Sequence, residues 1–255
     1  MQPGIRETSK VLDFNLRTRV ETFKGSGIWD EVMIRKSFTT GQTSALICDM
    51  WDKHWCRGAT ERVAAMAPVM NSVIEVARNN GVQIIHSPSE TMSFYIDTPY
   101  RQRIVDMPCV VTPKPLEIST PPSLPIDDSD GGCDTGEKPW FKAWTRQHPA
   151  IKIMGDDVIS DDGIQIYNFI RQRGIGNLIM MGVHTNMCVM NRSFGIKQMT
   201  MWGIRCILVR DLTDSMYNPE RFPHVGHEIG TNLVIEYIEK YWCPTITSED
   251  LMKSF

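Results

Sequence analysis

The segment Met181-Gly182-Val183-His184-Thr185-Asn186-Met187-Cys188-Val189 ends an apolar run and, within a few residues, opens a helical pattern. A thiol there sits at the positive end of a helix dipole, which favours the thiolate, and free backbone N–H groups of the turn point at whatever the sulfur attacks. Nucleophile and oxyanion donors would then come from one turn. A second candidate is Asp49, which closes the apolar run Ala45-Leu46-Ile47-Cys48 and precedes Met50-Trp51-Asp52-Lys53-His54-Trp55. A carboxylate at the end of a buried strand is costly unless it is paired, so it calls for a cation or a function. The third candidate is Lys152 in Ile151-Lys152-Ile153-Met154-Gly155, although a lysine between two isoleucines on a short strand would, taken alone, turn to water.

The elements that would position these groups alternate along the chain. Ala45–Cys48 reads as a buried strand, the stripe Val63, Met66, Ala67, Met70, Ile74 and Ala77 as a helix face ended by Gly81, and Val82–Ile85 as the next strand. Further on come a helix over Ile164–Arg173, a strand over Leu178–Met181, a helix over Cys188–Trp202, a strand over Ile204–Val209 and a last helix over Glu228–Trp242. Strands alternating with helices through short glycine-containing links predict an α/β fold with a parallel β-sheet sandwiched between helices. Such a sheet works at the carboxyl ends of its strands, where Asp49 and Cys188 both fall.

Two regions stand outside this rhythm. Leu12, Phe14, Leu16, Thr18 and Val20 alternate with polar residues, and Gly25-Ser26-Gly27 offers a turn into a second strand around Ile28–Ile34, so residues 1–40 read as a β-rich N-terminal extension. Residues 41–255 form the main domain. Within it, residues 106–149 are a long insert rich in Pro, Ser, Asp and Gly that turns aromatic at Trp140, Phe141 and Trp144. An irregular insert of this length is a functional lid or a mobile loop, and its aromatic end favours the lid.

The strand-end aspartate of "ICDM", the lysine of "IKI" and, with most specificity, "GVHTNMCV" resemble the three signature pieces of the isochorismatase-like cysteine hydrolases, which include nicotinamidases and N-carbamoylsarcosine amidohydrolases. The likeness covers roughly residues 44–243 apart from the insert. It implies a three-layer fold, a catalytic triad of Asp49 as general base, Lys152 as the cation and Cys188 as the nucleophile, and a homo-oligomer. It also implies a cis peptide joining Val183 to His184, and an oxyanion hole from the His184 and Cys188 N–H groups. The reaction implied is cleavage of an amide, carbamoyl or related C–N bond through a thioester.

The resemblance breaks at the nicotinamidase metal. Ile85, Ser87 and Thr91 stand roughly where its ligands would be, and none is a convincing ligand. No cofactor is therefore expected. Asp52-x-His54 has ligand spacing after the first strand and His86 ends the second, so a displaced site would have to form there, a solvated or substrate-facing role being preferred. The expected substrate-binding residues are Trp51, His54, Trp55, His86, Glu90, Phe94, Tyr95 and Trp144, a set suited to a flat or cationic small molecule. Arg192, four residues beyond Cys188, reads as a local or intersubunit partner.

Composition narrows the classes. The chain has 255 residues, 42% of them hydrophobic, enough for one large core, and a formal charge of −3 that argues against nucleic acid or an anionic membrane as partner. No apolar stretch approaches a bilayer span, and the start lacks a signal-peptide centre, so a cytoplasmic protein acting on a small molecule is expected. Seven cysteines without paired CxxC spacing predict mostly reduced, structural thiols. Two rival readings remain: vinyl-ether cleavage of the isochorismatase type, against which Cys188 counts, and a non-catalytic member that binds a metabolite or partner.

Overall fold

A computed structural model describes residues 9–138 and 141–255. Trp140, part of the aromatic end of the insert, lies outside them. The alternating N-terminal pattern folds as a hairpin of β1 (Val11–Glu21) and β2 (Trp29–Thr39), in register from Val11 opposite Thr39 to Glu21 opposite Trp29. The chain then enters β3 (Thr43–Cys48), α1 (Arg57–Asn79) and β4 (Gln83–Ser87), followed by two short helices, α2 (Met92–Tyr95) and α3 (Pro99–Val105). After the insert come β5 (Val158–Ile159), α4 (Gly163–Gln172), β6 (Asn177–Val183), α5 (Ile196–Met201) and β7 (Arg205–Asp214). The chain closes with α6 (His227–Tyr241), β8 (Thr245–Ile246) and α7 (Ser248–Lys253).

These strands form an eight-stranded sheet in the order β2-β1-β8-β7-β6-β3-β4-β5. The run from β8 to β5 is parallel, and the hairpin adds antiparallel to β8 at one edge. β3, β4 and β6 are buried along their whole length, as central strands covered on both faces must be. On one face, Val63, Met70, Ile74 and Ala77 of α1 and Leu251 of α7 pack against Ala45, Ile47, Ile84 and Ile179. On the other, Ile166 and Ile170 of α4, Ile196 of α5 and Val234 and Ile238 of α6 pack against Leu46, Ile85, Leu178 and Leu208. The molecule is thus a three-layer α/β fold. Among the described residues no helix is long and apolar enough to cross a membrane.

An ion cluster ties the hairpin to this body. The Glu239 side chain of α6, with no exposed surface, accepts from Arg17 Nε at 2.8 Å, Arg19 Nε at 3.2 Å and Thr245 Oγ1 at 2.5 Å. A buried carboxylate held by two guanidinium groups and a hydroxyl meets the condition under which such a charge survives inside a protein.

Three local expectations change. The helix expected over Cys188–Trp202 is broken: Thr185–Val189 is a π-helical turn, and α5 begins only at Ile196. The break falls at Gly195, where a Cβ would lie 2.9 Å from the backbone of Met190 and Arg192. Ile151–Gly155 is not a strand; the chain runs as a loop until β5. The insert has no helix or strand among its described residues but is tied to the body by hydrogen bonds at Val110, Leu116, Pro122 and Asp127. Near its end, His148 N–H donates to Met50 O at 2.7 Å, Asp52 N–H to Arg146 O at 2.9 Å, and Trp51 pairs with Gln147 in an antiparallel bridge.

Candidate active site

β3 and β6 are adjacent and parallel, so their carboxyl ends lie side by side. Cys48 pairs with Gly182 at that edge, and the strands approach so closely that a Cβ on Gly182 would sit 2.0 Å from Cys48 O. Gly182 also has φ +117°, a region closed to residues with a Cβ, so glycine alone fits. This contact brings the residues beyond the two strands, Asp49 and the Cys188 turn, to one place.

Asp49 leaves the sheet with φ 46°, a left-handed conformation unusual for a residue other than glycine and of the kind that concentrates at working sites. Its carboxylate is fully buried. Oδ1 accepts the Ser89 N–H at 2.7 Å, Oδ2 accepts Arg192 Nε at 3.0 Å, and the Cys188 thiol lies beside it. Burial pushes the Asp49 carboxyl above its ordinary value, and Arg192 and Ser89 only partly oppose this. Burial and the neighbouring Asp49 charge push the Cys188 thiol well up, with Arg192 and a hydrogen bond from the His184 backbone N–H pulling the other way. The helix-terminus expectation of an easily ionised thiol is therefore reversed: desolvation outweighs the partial charges of a single π-helical turn. At rest the sulfur keeps its proton and the carboxylate beside it can accept one.

Lys152 is not part of this arrangement. Its side chain is exposed, its own N–H donates to Asn71 Oδ1 at 2.8 Å, and its carbonyl accepts from Arg78 Nη2 at 3.0 Å. The loop that replaces the expected strand turns it outward. The cation at Asp49 is Arg192, carried on the sequence that continues the Cys188 turn, and the Asp49 carboxylate beside it raises its guanidinium, against burial. The Val183–His184 peptide is cis.

Cys188 and Arg192 line a cavity of about 710 Å³. Of the residues expected to bind substrate, Trp51, His54, Trp55, Glu90 and Trp144 line it, and His184 joins them. Trp51 and Trp144 stack with centroids 4.3 Å apart and planes 13° from parallel; His54 continues the stack 5.6 Å from Trp144. Trp51 Nε1 donates to Ser89 O at 3.0 Å and Trp144 Nε1 to Glu90 Oε2 at 3.2 Å, fixing both rings. Burial lowers His54 to about 4 and His184 to about 3, so both imidazoles are neutral at pH 7. His184 Nε2 is buried without a hydrogen-bond partner.

The other three expected binders are engaged elsewhere. His86, fully buried in β4, has Nδ1 3.0 Å from Gln147 Oε1 and Nε2 3.0 Å from Asp157 Oδ2. The Tyr95 hydroxyl accepts the Gln147 N–H at 2.9 Å, and Phe94 is exposed beneath the Arg146 guanidinium. His86 lies in a strand interior, and the short helix turns Tyr95 inward against Gln147 and Phe94 outward, so none of the three lines the cavity. The displaced metal site is also dispersed: Asp52 accepts Thr145 N–H and Oγ1 at 2.9 and 2.6 Å, while His54 Nδ1 accepts the Cys56 N–H at 3.1 Å. Among the described residues, the side chains close enough to share an ion are Cys56, Cys133 and Asp134 instead.

Sequence reasoning favoured the insert as a lid and named Trp144, but it assigned none of the insert's other cavity-lining residues to the site. Asp128–Gly131 and Phe141 and Lys142 line the cavity, with Met187 and Met216. Asn186 does the joining: its Nδ2 donates to Asp128 Oδ2 at 2.7 Å and Met216 O at 3.0 Å, and its Oδ1 accepts Met216 N–H at 2.9 Å. Gly132 lies so close to Met216 that a Cβ would meet its carbonyl oxygen at 2.3 Å. Arg192 had a usable signal, a charge four residues beyond the candidate nucleophile; for Asp128–Gly131 no pattern in the sequence pointed to the site.

No family model and no curated protein matches the chain. Solved structures do. A cysteine hydrolase from Pseudomonas syringae pv. phaseolicola 1448A is similar over 85% of this chain and 93% of its own, with a TM-score of 0.53 and 15% identity. An isochorismatase family protein from Burkholderia thailandensis covers 84% of this chain and 95% of its own at 12% identity and a TM-score of 0.49. An isochorismatase-like hydrolase from Alkaliphilus metalliredigens covers 84% and 96% at 15% identity and 0.47. At these identities the likeness, carried by the first of them, is one of fold: the chain has the isochorismatase-like three-layer architecture.

Proposed function

We propose that the chain is an isochorismatase-like cysteine hydrolase that cleaves a C–N bond of a small molecule, with Cys188 as nucleophile and Asp49 as its proton acceptor. The observation that carries this reading is the Cys188 sulfur, in the wall of a cavity of about 710 Å³, set beside the buried Asp49 carboxyl. Arg192 takes the part that the family resemblance assigned to Lys152: its Nε, 3.0 Å from Asp49 Oδ2, opposes the rise that burial imposes on the carboxyl.

As the Cys188 sulfur adds to the carbonyl carbon, Asp49 takes the thiol proton. The developing oxyanion is met by the backbone N–H groups of His184 and Cys188. When the C–N bond breaks, Asp49 returns the proton to the departing amine, leaving a thioester on Cys188. Water then gives a proton to Asp49 as it attacks the thioester, and the carboxylic acid leaves with the thiol restored. The unpartnered His184 Nε2 supplies a hydrogen bond to the substrate, and the Trp144–Trp51–His54 stack offers a flat apolar wall.

The test is covalent trapping. Incubated with a panel of primary amides and activated esters, the parent chain acquires an acyl mass on the peptide containing Cys188, and Cys188→Ala does not. Hydrolysis by Cys188→Ala and Asp49→Ala at the parental rate on a confirmed substrate would refute the mechanism.

A further inference from the structure

Cys56 and Cys133 face each other outside the Asp49–Cys188 centre. Cys56 is the N-cap residue of α1 and Cys133 belongs to the insert, 77 residues later. Both are buried, at 0% and 7% exposure, and their sulfurs are 2.6 Å apart. With Ala59 and Met216 they make a small apolar cluster on which Trp55 and Met187 pack, and Trp55, Met187 and Met216 are all cavity-lining residues. The two thiols therefore back the cavity wall formed by Trp55, Met187 and Met216.

We propose that Cys56 and Cys133 form an intramolecular disulfide that locks the cavity-lining part of the insert onto the N-terminus of α1. A shared metal fits the same atoms less well. Tetrahedral zinc holds its thiolates roughly 3.8 Å apart at Zn–S bonds of about 2.3 Å. Asp134, the third group within reach, already receives Arg62 Nη1 at 2.6 Å and Nη2 at 3.2 Å.

The chemistry needs a low-molecular-weight disulfide as oxidant. Cys133, the more exposed of the two, attacks it as the thiolate, releasing one small thiol and leaving a mixed disulfide. The Cys56 thiolate then attacks the Cys133 sulfur and releases the second. The protein gives up two protons and two electrons in all, and the small disulfide is reduced to two thiols. The Glu137 carboxylate, 3.3 Å from the Cys133 sulfur, accepts a hydrogen bond from its thiol. Burial and the contact with Cys56 raise Cys133 to about 11, so closure is slow at neutral pH and quickens as pH rises.

The experiment compares the full chain incubated with oxidised glutathione or with a phosphine reductant, by intact mass and non-reducing peptide mapping. The expected result is a 2 Da loss (about two hydrogens) and a linked peptide pair containing Cys56 and Cys133. Closure should raise Tm by on the order of 10 °C for a loop of this length, and both changes should vanish in Cys56→Ser and Cys133→Ser. A stable glutathione adduct on Cys133 without closure, or linkage among other cysteines, would overturn the proposal. So would stoichiometric zinc retained by the reduced protein and lost from Cys56→Ser. None of these readouts needs a substrate, so the outcome is separate from that of the hydrolase reading.

Discussion

Replacing Arg192 by glutamine removes the cation from a carboxylate with no exposed surface. At 3.0 Å between Nε and Oδ2, the gross attraction at an effective dielectric of 20 is ~5.5 kcal/mol. Two features reduce the net loss: the Arg192 side chain is 31% exposed and screened on that side, and Asp49 keeps its hydrogen bond from Ser89 N–H. The expected destabilisation is about 3 kcal/mol, the lower end of what breaking a buried ion pair costs, or a Tm lower by ~6–12 °C for a chain of this size. The loss has a pH signature. Burial already raises the Asp49 carboxyl, and without Arg192 it rises further. A group raised in the folded state contributes stability below its unfolded value and loses it as pH climbs through the folded value, so the deficit of Arg192→Gln should grow with rising pH and shrink in acid. Urea denaturation of the parent, Arg192→Gln, Asp49→Asn and the double variant between pH 4 and 8 measures the coupling, and the double variant should recover most of the loss. A coupling near zero, or an Arg192→Gln variant within about 0.5 kcal/mol of the parent, would refute the view that this pair organises the site.

Lys152→Ala should leave stability unchanged within about 0.5 kcal/mol and leave acylation of Cys188 at the parental rate, because the side chain is exposed; loss of acylation would restore lysine to the chemistry. The depressed values of His54 and His184, about 4 and about 3, mean that the unfolded chain takes up protons first, so stability present above about pH 6.5 should fall away as pH drops toward 4. Urea midpoints against pH should show a smaller acid loss in His184→Asn, and an unchanged slope would contradict the neutral imidazoles. Glu239→Ala leaves Arg17 and Arg19 without their shared carboxylate and should cost about 2–4 kcal/mol, with faster amide exchange concentrated in Val11–Glu21 and Trp29–Thr39. Uniform exchange behaviour across the sheet would mean that Glu239 does not anchor the hairpin.

The sequence by itself determined the layered α/β architecture, since apolar runs such as Ala45–Cys48 and Leu178–Met181 alternate with amphipathic stretches and local periodicity carries that information. It also marked Asp49 and Cys188, because a charge or a thiol at the end of a buried strand is unusual enough to stand out in one dimension. Only the tertiary structure decided which cation meets Asp49. Lys152 and Arg192 are equally charged in the sequence, and the choice depends on a loop that turns the first outward and a π-helical turn that carries the second inward. The cavity wall at Asp128–Gly131 and the meeting of Cys56 with Cys133 were undetermined for the same reason. An irregular segment has no period to reveal its course, and its position is set by long-range contacts such as Asn186 to Asp128 that exist only once the sheet has assembled.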